Sequence, residues 1–246
     1  GEFKCNRREI DEWVAVNALK RLAADWVRIQ KETEKGEPEK RGESLFPGSP
    51  VPRLPGSGGA QGKVAVVGSG PAGLTCASDL ARMGYAVTIF EAASVPGGML
   101  RMGIPAYRLP KDVLQAEIDD LLAEGIDLKL NSPIGPDLTL DHLRLGYKAI
   151  FLAVGAQKSR MLNLPGAHLD GVLPGLDFLR DVNLGRPGKV GRRTLVIGGG
   201  NVAVDVAQTA LRVGAEEVHL VCLESREEMP AHAWEVEDAL EERIIL

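Results

Sequence analysis

Gly68, Gly70 and Gly73 stand at the spacing GxGxxG in VVGSGPAG, and the grammar recurs as Gly198, Gly200 and Ala203 in VIGGGNVAVD, residues 196–205. A turn of this kind lets a strand pivot directly into a helix, with a separate task for each small residue. In the first copy Gly68 permits the tight turn, Gly70 lets the backbone approach a pyrophosphate, and Gly73 lets helix and strand pack closely. The helix amides from Pro71 and Ala72 onward then face the phosphates, where the positive end of the helix dipole stabilises negative charge. Pro71 has no amide hydrogen to offer, but the first helical position does not need one.

Glu91 ends the following strand, 23 residues beyond Gly68, where a dinucleotide-binding unit places the carboxylate that accepts hydrogen bonds from ribose hydroxyls. A lone GxGxxG could be a ligand-free glycine turn; the buried strand before it, the helix after it and Glu91 make it a cradle. In the second copy Asn201 offers an acceptor and two donors near the phosphates, and Val202 and Ala203 carry the turn into the helix. Asp205 lies further inside that helix, either in the site or as a solvated surface carboxylate. Alignment of the two units sets Glu91 against Cys222, with Glu224 two positions later. A 2′-phosphate would require Arg or Lys there, because a doubly charged phosphate beside a carboxylate is unfavourable. Leu223 and Glu224 supply none, although Arg226 is close, so the reading is NADH rather than NADPH with Glu224 on the ribose. Two complete turns imply two dinucleotides.

Other chemistry is sparse. His142, His168, His219 and His232 are dispersed, outside any HExxH or triad context, and read as surface or packing residues. Cys76 reads as a small apolar thiol on the buried side of the first helix. Cys5, Cys76 and Cys222 are far apart and odd in number, which argues against a disulfide framework and for a reducing compartment. No CxxC is present for disulfide exchange. A net charge of −5 with 4% aromatic residues speaks against nucleic-acid binding. No apolar run approaches the roughly 20 residues of a membrane span, and no leader is evident, so the chain reads as cytoplasmic.

The elements that position these residues follow from patterning. KVAVVGSG is a continuous apolar run suited to a parallel strand buried on both faces. PAGLTCASDLARMG is a helix with Leu74, Ala77, Ser78 and Ala81 on one side and Gly84 closing it, and YAVTIFE is the next strand. A helix over 111–125, a strand IDLKLN and an apolar strand YKAIFLAVGA follow. Residues 156–191 are loop-rich, with a helix around Gly175 to Asn183. RRTLVIGGG, NVAVDVAQTALRVG and EEVHLVCLE then repeat strand, helix and strand, and WEVEDALEERIIL reads as a helix entering a strand.

Upstream, Ile10, Trp13, Val14, Leu19, Leu22 and Trp26 recur at helical spacing. Residues 34–62, rich in Gly, Pro and Ser, read as a linker. The expectation is an α/β protein with two Rossmann-like units after a short helical segment: helical residues 4–33, linker 34–62, a first unit 63–185 and a second 190–246.

VVGSGPAG, GGMLRMGIPAYRLP at 97–110, AVGA at 153–156, VIGGGNVAVDVA at 196–207 and REEMPA at 226–231 occur in an order that resembles the glutamate synthase small-subunit family. That family includes the flavoprotein parts of dihydropyrimidine dehydrogenase and of related electron-transfer complexes. The resemblance implies an FAD domain opened by the first turn, with an NAD(P)H domain inserted through the second. Gly98, Met99 and Leu100 match a loop that packs along the flavin, and Arg101, Ile104 and Arg108 fall in the same stretch. Ala153 and Gly155 match a second flavin-side strand end, with Val154 where the family commonly has threonine. Cys5 resembles the last cysteine of an iron-sulfur domain; iron-sulfur clusters are expected only in a longer parent protein, with Cys5 an orphan ligand here. Family members continue past residues 244–246, so both domains are expected to be incomplete.

The implied chemistry is hydride transfer from NADH, or NADPH, to FAD, with electrons passed on to an iron-sulfur acceptor in a larger catalytic or electron-accepting subunit. The alternative is a nucleotide-binding or assembly module without turnover. Trp13 and Trp26 would then cover a partner subunit rather than the chain's own FAD domain.

Overall fold

The computed structural model describes residue 25 and residues 61–159, 161, 163–188 and 190–246. The amphipathic N-terminal segment, most of the linker and Cys5 therefore lie outside the described residues. The chain divides into two compact units, Gly1–Pro50 and Val51–Leu246, and the strands and helices from Lys63 onward all belong to the second.

Strand β1 (Lys63–Val67) leads into helix α1 (Pro71–Arg82) and strand β2 (Ala86–Phe90). A short helix α2 (Met99–Met102), helix α3 (Lys111–Leu122) and strand β3 (Asp127–Lys129) follow, then helix α4 (Leu140–Gly146) and strand β4 (Ala149–Leu152). These four strands form one parallel sheet in the order β3-β2-β1-β4, with Val64 opposite Val87 on one side and Ala149 on the other. The order is the reason β1 reads as an unbroken apolar run. It is central, so Val64 to Val67 are all buried.

Helix α5 (Gly175–Asn183) connects to the second βαβ unit: strand β5 (Arg193–Ile197), helix α6 (Asn201–Arg212), strand β6 (Glu217–Val221), a 3-10 turn Arg226–Glu228 and helix α7 (Ala233–Glu241). β5 and β6 pair in parallel, and Ile245 adds a parallel bridge to His219 of β6. The strand entry expected at the apolar tail is this bridge.

One core lies between the first sheet and α1 and α3, centred on Val66, Ile89 and Ile118; truncating a fully buried Ile such as Ile118 to Ala costs about 2–5 kcal/mol. A smaller cluster beneath α4 gathers Ala65, Val67, Phe90 and Leu143. The second βαβ unit has its own core, built on Val196, Val204, Val218, Leu220 and Val236, and Phe178 and Leu179 of α5 pack into it. The opposite face of β5 and β6 leaves Leu195, Ile197 and Val221 exposed.

Three details depart from the expected elements. The α3 helix ends at Leu122. Helix α4 has no counterpart among the expected elements. It is seven residues long and is started by Thr139, whose hydroxyl accepts from His142 N–H at 3.1 Å while the His142 ring receives the Thr139 N–H. So His142 is a capping residue, a role that needs no apolar periodicity to announce it. Cys76 sits half-buried at the edge of α1's buried face, which Gly73, Leu74, Ala77 and Ser78 form.

Candidate dinucleotide-binding site

The two glycine turns share one geometry. Gly70 and Gly200 are the N-caps of α1 and α6 in extended conformation; neither helix start receives a side-chain cap, and neither carries an acidic residue in its first turn. Helices α3, α4, α5 and α7 each place Asp or Glu there. The uncompensated amides and positive dipole ends of α1 and α6 are therefore available to an anionic ligand.

Steric limits explain the small residues. Gly68 has φ +103°, and a Cβ there would come within 2.4 Å of the Ala153 carbonyl oxygen. A Cβ on Gly73 would lie 1.9 Å from the Gly68 carbonyl oxygen, whereas at Gly70 nothing lies within 4 Å. The open space over Gly70 is what a close backbone approach by a phosphate requires. In the second turn Gly200 is equally open, and a Cβ on Gly198 would sit 3.3 Å from the Ala203 methyl, so this looser turn accommodates alanine at its third position.

A cleft of about 1040 Å³ opens at the carboxyl ends of the first sheet's strands, the place where open parallel sheets bind ligands. It brings together Gly68, Gly70, Pro71, Ala72, Glu91, Gly98, Met99, Ala153 and Gly155. Gly98 approaches so closely that a Cβ on it would meet Gly70 Cα at 2.8 Å. Glu91 is buried beneath the turn: one carboxylate oxygen accepts from Ser69 N–H and hydroxyl, the other from Ala93 N–H. The second oxygen keeps acceptor capacity for a ribose. Ser159 also lines the cleft, and its hydroxyl oxygen is buried without a hydrogen-bond partner among the described residues. An open cradle, a partly engaged carboxylate and an orphaned hydroxyl fit a polar dinucleotide.

The cleft also takes in Met102, Ser132, Pro133, Ile134, Gln157, Lys158 and Arg180, none of which the sequence pattern marks. Ser132 to Ile134 follow β3, and the strand-end rule points to them once the strand order is known. Arg180 is held by Asp177 at 2.7 Å and donates to the Gln157 carbonyl at 2.9 Å.

Leu100, Arg101, Ile104 and Arg108 of the 97–110 stretch are not among the residues that line the cleft, and each has protein partners. Leu100 packs on the first core. Arg101 bonds the Pro96 carbonyl at 3.1 Å and the Gln115 side chain, and the Ile104 carbonyl accepts from Lys111 Nζ at 2.5 Å. Arg108 turns away from the cleft to bond Asp205 and Glu235. Asp205 is thereby paired within the protein and mostly buried rather than a solvated surface carboxylate. Burial raises its pKa, against the opposing pull of Arg108.

At the second cradle, Asn201 Oδ1 accepts from the backbone N–H of His232 at 3.1 Å, and the Gly199 carbonyl from Ala231 N–H at 2.9 Å. The segment after β6 thus folds back over the turn. Glu224 is exposed, and its carboxylate lies 3.2 Å from where a Gly199 Cβ would be. Val202 and Arg226 are exposed nearby. Among the described residues no group of His, Cys, Asp or Glu is arranged to hold a metal, and no helix is long and apolar enough to cross a membrane.

The sequence pattern of the pyridine nucleotide-disulphide oxidoreductases matches residues 62–245. The chain is 45% identical to the NADP(+)-dependent formate dehydrogenase subunit beta of Moorella thermoacetica over 99% of this chain and 35% of that protein. It is 37% identical to the glutamate synthase [NADPH] small chain of Escherichia coli (strain K12), over 74% of this chain and 41% of that one. It therefore spans well under half the length of both relatives. Among solved structures, Mycobacterium tuberculosis FprA in complex with NADPH superposes with a TM-score of 0.63 at 25% identity, covering 73% of this chain and 47% of that one. Two Rossmann-type βαβ units, their glycine turns and this match over residues 62–245 place the chain in the pyridine nucleotide-disulphide oxidoreductase family.

Proposed function

We propose that this chain is the nucleotide-binding part of a flavin-dependent oxidoreductase, with FAD in the first cradle and a nicotinamide dinucleotide in the second. The observation that carries the reading is the pair of uncapped, acid-free helix starts, one of them opening on a cleft large enough for a dinucleotide. Residues 63–185 are assigned to FAD and 190–246 to the nicotinamide nucleotide, with α5 bridging them through the second core. Flavin, when bound, supplies hydride acceptance and one-electron release. The chain's own residues hold it: Gly68 and Gly70 shape the turn, α1 amides meet the pyrophosphate, Glu91 accepts from the ribose, and Gly98, Met99, Ala153 and Gly155 wall the cleft. No side chain is required to move a proton for hydride transfer.

Glu224 supports NADH at the second cradle, since its carboxylate beside Gly199 opposes a 2′-phosphate. A second reading, NADPH, is favoured by the names of both relatives and would use Arg226. Electrons would leave to an iron-sulfur acceptor in a longer protein or a larger partner subunit, as the subunit names of the relatives suggest; the exposed face of β5 and β6 supports such an assembly. A reducing compartment, the cytoplasm, suits the free thiols of Cys76 and Cys222.

The test is an anaerobic visible spectrum after FAD addition and desalting, followed by NADH or NADPH in separate cuvettes. Retained flavin that is bleached supports the reading, and the faster nucleotide identifies the donor. Flavin retained but not bleached by either supports the competing assembly module, and no retained flavin refutes FAD binding and turnover by this chain on its own.

A further inference from the structure

The loop between α2 and α3 carries Tyr107 and Arg108 out of the first βαβ unit and into the second. Arg108 Nε bonds Asp205 of α6, its Nη1 bonds Glu235 of α7 at 3.0 Å, and its Nη2 reaches the Gln208 side-chain oxygen at 3.4 Å. The guanidinium also lies over the Trp234 ring, 5.4 Å from its centroid. Tyr107 hydroxyl donates to Gln208 at 3.1 Å, and Arg212 covers the tyrosine ring at 4.1 Å while pairing with Glu242 at 2.6 Å. The Arg108, Asp205 and Glu235 side chains are only 17%, 14% and 7% exposed.

Two features separate this cluster from ordinary packing. One guanidinium serves two carboxylates, and Glu235 Oε2 is buried with no hydrogen-bond partner among the described residues. Such an arrangement contributes little net stability, because desolvation offsets the attraction. The second is where the contacts lead. Asp205 lies one turn along the cradle helix from Asn201; Trp234 stacks on His232 at 6.2 Å, and His232 N–H donates to Asn201 at 3.1 Å. At its other end the loop continues from Met99 and Met102, which wall the first cleft.

We propose that Arg108 is a positioning residue that joins the wall of the first cleft to the second cradle as one mechanical body, so that a nucleotide in the second cradle orders the 105–109 loop. The inference rests on the proposed function only for what binds the second cradle; the coupling between Arg108 and Asp205 is independent of it.

The test is hydrogen exchange of the whole chain, followed at residues 105–109 and 233–241, without nucleotide and with saturating NADH or NADPH, in the wild type, Arg108→Met and Asp205→Asn. Asp205→Asn keeps the volume and the Arg108–Glu235 pair, so it serves if Arg108→Met fails to fold. The expected result is that nucleotide slows exchange at 105–109 by about threefold or more in the wild type and has no effect there in either variant. Nucleotide binding without that slowing, or slowing that survives both substitutions, overturns the proposal. If neither nucleotide binds, the functional reading of the second cradle fails, and the nucleotide-free arm decides: loop opening must rise about tenfold in Asp205→Asn, with α7 opening in parallel. Unchanged opening overturns the coupling in that arm as well.

Discussion

Ser69 gives both its backbone N–H and its hydroxyl to the same carboxylate oxygen of Glu91, at 2.8 and 2.6 Å. The carboxylate proposed to meet a ribose is therefore also the clasp that closes the first glycine turn, so the proposed binding and the folding of the turn meet in one side chain. Glu91→Gln must turn an NH2 toward either Ser69 or Ala93, leaving a buried donor unmatched. It should cost about 1–3 kcal/mol in urea denaturation and lower FAD retention. Ser69→Ala, which removes only the hydroxyl, should cost less. Equal stability of wild type and Glu91→Gln would contradict the clasp.

The third positions of the two turns should respond oppositely to size. Gly73→Ala puts a methyl within 1.9 Å of a backbone oxygen that cannot move cheaply, and about 2–4 kcal/mol of destabilisation is expected. Ala203→Gly removes a methyl from a turn that accommodates it, so only the helix-propensity loss of about 1 kcal/mol should appear. Thermal melts of the two variants side by side check the contrast.

Lys111 gives a pH signature. Its ammonium is drawn inside to bond the Leu100 and Ile104 carbonyls, and burial, followed by the charge of Arg101, pushes its pKa from 10.5 down to about 8. Between those two values the folded chain has released the proton while the unfolded chain still holds it. Stability from this group must therefore rise as pH climbs through about 8 toward 10.5. Denaturation midpoints of the wild type relative to Lys111→Met, compared between about pH 7 and pH 10, should rise accordingly; a falling or flat difference would refute it.

Leu223 is fully exposed and Glu224 flanks the second turn, so charge can be exchanged there at little cost to folding. Leu223→Arg with Glu224→Arg should shift the ratio of NADPH to NADH affinity by on the order of tenfold or more toward NADPH. Isothermal titration of the double variant with each nucleotide measures it, and an unchanged ratio removes Glu224 from the specificity argument.

Much of the first site is legible in the chain itself. The glycine spacing and Glu91 at the end of β2 are local signals, because a strand-turn-helix unit is made by neighbouring residues, whereas Gly98 and Met99 are marked only by the family resemblance. Helix α4 is short, seven residues long, and its apolar face is only Leu140, Leu143 and Tyr147; its start depends on a Thr139–His142 exchange, so the periodic signal is too brief to mark it. Ser132, Pro133 and Ile134 carry no signal of their own because their place at the cleft depends on β3 lying at the edge of the sheet beyond β2, and order across a sheet is not written in any one strand.

The sequence by itself determined the two βαβ units and their cradles, since apolar runs, glycines at fixed spacing and acid-free helix starts act over a few residues. Only the tertiary structure decided the partners of the charged residues. Arg108 and Asp205, both among the residues expected at the cofactor sites, lie 97 residues apart in the chain and meet as a half-buried ion pair. Charge attraction carries no sequence spacing of its own; which opposite charge a buried guanidinium finds depends on how the two βαβ units dock.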